Sequence, residues 1–259
     1  MPDSKRVAIV TGGASGIGFA IVRHLSAAGM AVLAMDKDTS AVASAVETRK
    51  PKEDTLFIHG DAGCEADIKG MVNMAVDAFG RIDHLCNNAA FHPFETIENH
   101  AMESWRETFR VNVDGTMLSC QKALPHLRRS DCASIVNIGS ISGSSPYAGG
   151  GAYATSKAAI AMLTRVLALE FGPYGVTVNC ISPGSIRHRA GSDLNAQPPS
   201  NVPIGRYGTV YDVAEMVGFL ASDASRYITG SNIILDGGAT AGRIRESRTA
   251  TSTPKNGES

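Results

Sequence analysis

Short apolar runs and longer segments of helical periodicity alternate along the whole chain. Seven runs rich in β-branched residues predict strands at 7–10, 31–35, 55–58, 82–86, 134–138, 176–181 and 232–235. Six segments of helical period between them predict helices at 16–28, 39–48, 66–79, 101–127, 152–171 and 211–222. Several strands are apolar at successive positions, which is typical of strands that helices cover on both faces. The sequence therefore predicts an α/β fold with one doubly wound, parallel, seven-stranded sheet flanked by helices.

The pattern gives no reason to divide the chain into two domains. There is no internal repeat and no Ser/Gly- or Pro-rich linker before residue 184, so we expect a single domain over residues 1–238. Residues 185–201 include Pro198 and Pro199 and lack periodicity, which predicts a long loop that is functional or mobile. Residues 239–259 are rich in Thr, Ser, Gly and charge, which predicts a polar, disordered C-terminal tail.

The composition of the chain disfavours several classes of binding partner and favours one kind of cellular compartment. The 24 Lys plus Arg and 25 Asp plus Glu give a formal charge of −1, which disfavours a nucleic acid or an anionic membrane surface as partner. No apolar run reaches the roughly 20 residues that a membrane helix needs. The five cysteines are odd in number and form no CxxC pair, which disfavours a disulfide framework or a structural zinc site and favours a reducing compartment. We expect a soluble, cytoplasmic protein.

A glycine-rich turn joins the first strand to the first helix. Glycines at such a turn let the backbone approach a pyrophosphate, whose charge the free N–H groups and the positive end of the helix dipole would hold. Taken alone, a glycine-rich turn needed only for packing is the competing interpretation. The segment reads Thr11-Gly12-Gly13-Ala14-Ser15-Gly16-Ile17-Gly18.

Asp36 closes the second strand, 20 residues after Gly16. A carboxylate there can accept hydrogen bonds from the adenosine ribose hydroxyls and would repel a 2′-phosphate, which favours NAD over NADP. Lys37 favours NADP instead, because its positive charge could bind the 2′-phosphate. The glycine-rich turn, however, provides Ser15 and no second cation for that phosphate.

Tyr153 and Lys157 lie four positions apart in a predicted helix, with Ser140 upstream. This spacing puts both side chains on one helix face, where the ammonium can approach the phenol. A free tyrosine has a pKa of about 10, and a nearby cation together with a positively charged nicotinamide would lower it. Tyr153 is therefore a candidate general acid and base, although an exposed amphipathic pair with no function has the same spacing.

Taken together, these residues resemble the short-chain dehydrogenase/reductase family, whose members have a Rossmann fold. The resemblance covers residues from about 5 to 238. It is carried by the segment 11–18, Asn87-Asn88-Ala89, Asn112, Ser140, Tyr153 with Lys157, and the segment from Asn179 to Pro183-Gly184.

The resemblance implies a role for each of these residues. Tyr153 is the implied proton donor and acceptor, Lys157 lowers its pKa and binds the nicotinamide ribose, and Ser140 orients the substrate oxygen. Asn112 is the implied fourth member, which holds a water in a proton relay. The implied cofactor contacts are Gly12, Ser15, Gly16, Ile17, Gly18, Asp36, Asp61, Ala62, Asn88, Ala89, Tyr153, Lys157, Pro183, Gly184 and Ile186.

The chain departs from the family pattern at two positions. Ala90 stands where a glycine is usual after Asn-Asn-Ala, which adds one methyl group. His188 stands where a threonine often follows Pro-Gly, and it can donate a similar hydrogen bond or point into the substrate pocket.

The same resemblance implies that three segments form the substrate pocket: 91–94, which is aromatic, 143–152, which is rich in glycine, and 185–201, which contains Arg187, Arg189, Asp193 and Asn195. An aromatic wall beside cations would suit a cyclic or carboxylated alcohol. The competing interpretation makes Phe91 and Phe94 core residues and leaves both arginines solvated. The histidines show no metal-binding spacing, so we expect no metal and assign no role to His92.

The sequence thus favours an NAD-dependent oxidoreductase acting on a secondary alcohol or ketone, in the direction of alcohol oxidation. The alternatives are an NADPH-dependent ketone reductase, a sugar-nucleotide epimerase or dehydratase, and a non-catalytic dinucleotide sensor or scaffold. An epimerase usually needs a larger C-terminal domain than the residues after Gly238 can form. The long helices 101–127 and 152–171, rich in apolar residues, are compatible with isologous association, and the resemblance implies a homo-oligomer, a dimer or a tetramer.

Overall fold

A computed structural model describes residues 5–47, 54–187 and 200–242 of the chain. The strands of these residues are β1 Val7–Thr11, β2 Ala31–Asp36, β3 Thr55–His59, β4 His84–Asn87, β5 Ser134–Ile138, β6 Thr177–Pro183, β7 Ile186–Arg187, β8 Gly208–Thr209 and β9 Asn232–Leu235. Seven of them form one parallel sheet in the order β3-β2-β1-β4-β5-β6-β9, which confirms the predicted doubly wound α/β fold. The other two, β7 and β8, form a separate short pair.

Helices cover both faces of the sheet, as the successive apolar positions in the strands predict. Ile21, Leu25 and Val217 pack on one face, while Met71 and Leu127 pack on the other. Burying this apolar surface is the main term that stabilises such a two-sided core. The helices are α1 Gly16–Ala27, α2 Thr39–Glu47, α3 Glu65–Phe79, α4 Met102–Phe109, α5 Gly115–Leu127, α6 Gly151–Phe171 and α7 Val210–Leu220.

The predicted helix 101–127 is not regular along its length. A π-helical turn, Arg110–Asp114, separates α4 from α5 and contains the buried side chain of Asn112. Gly115 follows this turn, and a Cβ there would lie 2.0 Å from the carbonyl oxygen of Ala62. Short π-helical turns of this kind are frequent at functional sites, and sequence periodicity does not reveal them.

The sheet register brings the carboxyl ends of the central strands together. Thr11 pairs with Met35 on one side and with Asn87 on the other, and Asn87 in turn pairs with Asn137. Ligands of open α/β sheets bind at this edge, where the strand order reverses between β1 and β4.

The opposite end of β4 holds a buried histidine whose titration affects stability. His84 contacts Ser134 Oγ through Nδ1 at 2.9 Å, and burial lowers its pKa to about 4. Between pH 6.5 and 4 the unfolded chain binds more protons than the native protein, so stability falls as the pH falls. The loss is about 3 kcal/mol between pH 7 and pH 4.

A His84→Gln variant should lack that part of the acid sensitivity. Urea unfolding of both proteins at pH 7 and pH 4 measures it, since every other titrating group contributes equally to the two proteins. Equal losses of unfolding free energy in the two proteins would show that His84 does not carry this term.

The predicted domain end at residue 238 lies in an ordered turn. The Asp236 carboxylate accepts hydrogen bonds from the backbone N–H groups of Gly238 and Thr240 at 2.8 Å. Residues 243–259, most of the predicted tail, lie outside the described residues. Within the described parts of the chain, all five cysteines are unpaired, and no helix has the length and apolar character needed to cross a membrane.

Candidate active site

A groove of about 500 Å³ runs along the carboxyl ends of the strands. It is lined by every predicted site residue except Asn112. The predicted residues that share it are Gly12, Ser15, Gly16, Ile17, Gly18, Asp36, Asp61, Ala62, Asn88, Ala89, Ser140, Tyr153, Lys157, Pro183, Gly184 and Ile186.

The glycine-rich turn at one end of the groove is closely packed. A Cβ on Gly18 would lie 1.9 Å from the carbonyl oxygen of Gly12, so no larger residue fits there. Gly12 has a φ of +62°, in the left-handed region that favours glycine. Ser15 precedes α1 without a side-chain capping bond, and the first turn of α1 contains no acidic residue. The N-terminus of α1 is therefore suited to an anion such as a pyrophosphate.

The Asn88 side chain links the glycine-rich turn to the end of β4 through hydrogen bonds. Its Nδ2 donates to the carbonyl oxygens of Thr11, at 3.0 Å, and Gly12, at 2.9 Å. The Thr11 hydroxyl accepts in return from the backbone N–H groups of Asn88 and Ala89, both at 3.1 Å. The Asn88 side chain thus holds the shape of the turn, a role that the sequence did not indicate.

Asp36 lies at the end of β2 with its carboxylate held in place. Oδ2 accepts from the backbone N–H of Ala14 at 3.0 Å, and Oδ1 accepts from that of Asp38 at 3.1 Å. A carboxylate oxygen can accept more than one hydrogen bond, so these contacts leave acceptor capacity for a ribose hydroxyl.

A chain of ion pairs borders the same end of the groove. Arg110 donates to Asp61 at 2.7 Å and to Glu107 at 2.6 and 2.7 Å. Lys37 Nζ lies 3.6 Å from Glu107. Burial raises the pKa of Asp61, but hydrogen bonds from Gly63 and Arg110 outweigh burial and hold the pKa below its ordinary value. Sequence reasoning missed Glu107 and Arg110, which come from helical segments remote in sequence.

Tyr153 and Lys157 lie on one face of α6, as their spacing predicts. Lys157 Nζ is 5.5 Å from the centroid of the Tyr153 ring. The lysine side chain is buried and donates to the carbonyl oxygen of Ile138 at 2.7 Å. Burial lowers the pKa of Lys157 to about 8. The Lys157 side chain therefore remains a cation close to the phenol at neutral pH, although its ammonium releases a proton more easily than that of an exposed lysine.

The pKa of Tyr153 in the protein alone differs from the expectation. Burial raises it above its ordinary value, and the hydrogen bond with Ser140, which acts in the opposite direction, does not compensate. Removing the phenol from water disfavours the phenolate. The described residues alone therefore do not produce the expected lowering of the Tyr153 pKa.

The side chain of Asn112 is fully engaged with the protein. Oδ1 accepts from the backbone N–H of Phe91 at 2.7 Å, while Nδ2 donates to the Phe91 carbonyl at 3.0 Å and to Ser156 Oγ at 2.9 Å. The amide thus fixes the loop after β4 against α6. Its implied role in holding a water stays a prediction.

An aromatic wall flanks Tyr153. The His92 ring stacks on the Tyr153 ring at 3.9 Å and 25°, and His92 Nε2 lies 2.6 Å from Tyr147 Oη. Phe94 stacks on Tyr147 and is 74% exposed, so its interpretation as a core residue is wrong. Phe91 lines the groove. Gly149 and Gly150, in the glycine-rich segment 143–152, leave space for these rings, since a Cβ on them would lie 2.7 Å from Phe94 and 2.8 Å from Tyr147.

Part of the predicted substrate pocket lies outside the described residues. This applies to His188, Arg189, Asp193 and Asn195. Arg187 is described, and its guanidinium lies 4.4 Å from the centroid of the Tyr207 ring. Within the described ranges, no three His, Cys, Asp or Glu residues are grouped so as to hold a metal ion.

Comparisons with known proteins agree with this architecture. The family model described as enoyl-(acyl carrier protein) reductase matches residues 12–240. L-fucose dehydrogenase of Bos taurus is 36% identical over 252 residues, which are 93% of this chain and 92% of the relative. The 2,5-dichloro-2,5-cyclohexadiene-1,4-diol dehydrogenase of Sphingobium indicum is 36% identical over 243 residues, 92% of this chain and 97% of the relative.

A solved structure is also similar over most of its length. It is a short-chain type dehydrogenase/reductase from Mycobacterium ulcerans, with a TM-score of 0.83 and 31% identity. The match covers 90% of this chain and 89% of that one.

Proposed function

The chain belongs to the short-chain dehydrogenase/reductase family, and on that premise we propose that it is an NAD(H)-dependent oxidoreductase that interconverts a secondary alcohol and its ketone. One observation carries the proposal: Tyr153, Ser140 and Lys157 line the same groove as the glycine cradle. Proton transfer and dinucleotide binding are thereby joined in one site.

The residues divide the chemistry among them. Bound nicotinamide supplies the hydride acceptor for oxidation and the hydride donor for reduction. Tyr153 takes the proton from the alcohol oxygen in oxidation and returns it to that oxygen in reduction. Ser140, which lines the groove with Tyr153, orients the same oxygen, and the Lys157 ammonium favours the phenolate and binds the nicotinamide ribose.

The charges at the adenosine end support NAD. Asp36, Asp61 and Glu107 provide three carboxylates against the two cations Lys37 and Arg110, a balance unfavourable to a 2′-phosphate. Lys37, the residue that argues for NADPH, is paired with Glu107. The alternative of an NADPH-dependent ketone reductase therefore requires Lys37 to leave that partner.

Replacing Glu107 with Gln should relax the cofactor preference. The change removes one negative charge and releases Lys37, so we expect the ratio of the NADPH Kd to the NADH Kd to fall about fivefold, the scale of one exposed ion pair. Fluorescence titration with each reduced cofactor measures the ratio. Glu103→Gln, an exposed position of α4, is the matched control. An unchanged ratio of the two Kd values in Glu107→Gln would mean that Lys37 does not interact with the 2′-phosphate of NADPH.

The substrate is proposed to be a cyclic or otherwise functionalised secondary alcohol. The names of two relatives denote ring compounds that carry more than one hydroxyl group, which supports this class. Alcohol oxidation is the proposed direction, because cells usually keep NAD largely oxidised. Formation of NADH from NAD and a panel of secondary alcohols tests the proposal, and NADH binding without turnover of any alcohol would favour a dinucleotide sensor.

A homo-oligomer, dimer or tetramer, is proposed as well. Apolar residues lie exposed along α5 and α6, among them Met117, Met162, Val166 and Leu169, the last of which is 81% exposed. Exposed apolar residues on two long helices suit an isologous contact. Sedimentation velocity measures the assembly. The cytoplasmic location stays a prediction from the cysteine pattern.

A further inference from the structure

His92 and Tyr147 form a hydrogen-bonded pair on the aromatic wall beside Tyr153. The two residues come from the loop after β4 and from the segment before α6, and their polar atoms meet at 2.6 Å. The His92 ring covers the Tyr153 ring at 3.9 Å, and His92 lines the groove with Tyr153 and Ser140. A ligand oxygen close to the pair would thus be close to the reacting phenol.

The protein holds this pair in place from several sides. Asn112 bonds both backbone groups of Phe91, the residue before His92. The backbone N–H of Glu95 donates to the carbonyl oxygen of Gly149 at 2.8 Å, which joins the two loops. A Cβ on Gly150 would lie 2.8 Å from the Tyr147 ring, so this glycine lets the ring approach. These contacts fix the position of the His92–Tyr147 pair, of which His92 lines the groove.

Hydrogen-bond capacity indicates what the pair can bind. Burial and the charge of Lys157 lower the pKa of His92, so its ring is neutral at neutral pH, with one donor and one acceptor nitrogen. Nδ1 has no hydrogen-bond partner in residues 5–47, 54–187 and 200–242. Whichever atom donates between His92 and Tyr147, the pair retains one further donor and one further acceptor.

This combination fits a hydroxyl group better than a carboxylate. A hydroxyl donates and accepts, as the pair does, whereas a carboxylate only accepts and seeks a cation. Lys157, whose charge acts on His92, is buried and donates its hydrogen bond to the carbonyl oxygen of Ile138.

We propose that His92 and Tyr147 form a subsite for a second hydroxyl group, on a carbon next to or near the reacting carbinol, so that the substrate is a diol. The proposal rests on the proposed function and names the substrate class of that same site. The aromatic faces of Tyr147 and Phe94 provide an apolar surface for the carbon frame beside that hydroxyl.

The test compares diols with the corresponding monoalcohols. The substrates are cyclohexane-1,2-diol and butane-2,3-diol, set against cyclohexanol and butan-2-ol, with NAD as oxidant. The wild-type kcat/KM for at least one diol should exceed that of its monoalcohol about tenfold, the scale of one or two neutral hydrogen bonds. Tyr147→Phe and His92→Phe each keep an aromatic ring, and each should lower this ratio about tenfold, chiefly through the diol KM.

The matched control is Tyr174→Phe, an exposed tyrosine that packs against Arg128 far from the groove and should leave the ratio unchanged. Equal wild-type efficiency on diols and monoalcohols, a failure to oxidise either diol, or variants that keep the ratio would each overturn the subsite. The proposed oxidoreductase function is tested separately, and it is wrong if the wild-type protein does not bind NADH.

Discussion

Replacing Tyr153 with Phe should lower kcat about a thousandfold or more while leaving NADH affinity nearly unchanged. The substitution removes one oxygen, the atom that exchanges a proton with the substrate, and positioned general acid–base groups contribute roughly 10²–10⁴ in rate. The ring keeps its packing against His92. Steady-state turnover and NADH titration on the same preparation measure both quantities.

Tyr211→Phe provides a matched control, because that tyrosine lies exposed on α7 and does not line the groove. A Tyr153→Phe variant that keeps a tenth or more of the wild-type kcat would remove the proton-transfer role from Tyr153. A Tyr153→Phe variant that no longer binds NADH would show that the phenol acts mainly in cofactor binding.

Replacing Lys157 with Met should cost activity and increase stability at neutral pH. The pKa of Lys157 is lowered to about 8 in the folded protein, from 10.5. Between pH 8 and 10.5 the unfolded chain binds more protons than the native one, so wild-type stability rises with pH through this window. Below pH 8 the buried charge costs about 3 kcal/mol, which Met removes.

Methionine also loses the hydrogen bond to Ile138, worth about 1 kcal/mol, so we expect a net stabilisation of about 1–2 kcal/mol at pH 7. Turnover should fall at least about a hundredfold. Urea unfolding at pH 7 and pH 10 tests the stability, with the exposed Lys69→Met as control. A Lys157→Met variant that is less stable than the wild type at pH 7 would contradict the conclusion that the buried charge is destabilising. A variant whose free energy of unfolding changes with pH as that of the wild type does would contradict it as well.

Local patterns predicted the sheet and part of the groove, whereas most of the groove residues were implied by the family resemblance. Strand and helix alternation determines the parallel topology through the handedness of crossovers, and the carboxyl ends of the strands then place Thr11 and Asp36 at one edge. The four-residue spacing of Tyr153 and Lys157 needs only helix geometry. Such inferences succeed because each depends on near neighbours or on a rule of topology.

Contacts between remote segments could not be predicted in the same way. His92 and Tyr147 are 55 positions apart, and only the folded loops bring them together. The pairing of Lys37 with Glu107 likewise depends on how α4 lies against the end of β2. Asn112 is a third example, because a π-helical turn places its side chain against Phe91.

The central claim is a site that binds NAD(H) and discriminates against NADP(H). Fluorescence titration of the purified protein with NADH and, separately, with NADPH tests it most directly. The charges around Asp36 predict an NADH affinity at least about tenfold higher than that for NADPH, a difference of about 1.4 kcal/mol. Equal or tighter binding of NADPH would contradict the cofactor assignment, and binding of neither would contradict the proposed oxidoreductase function.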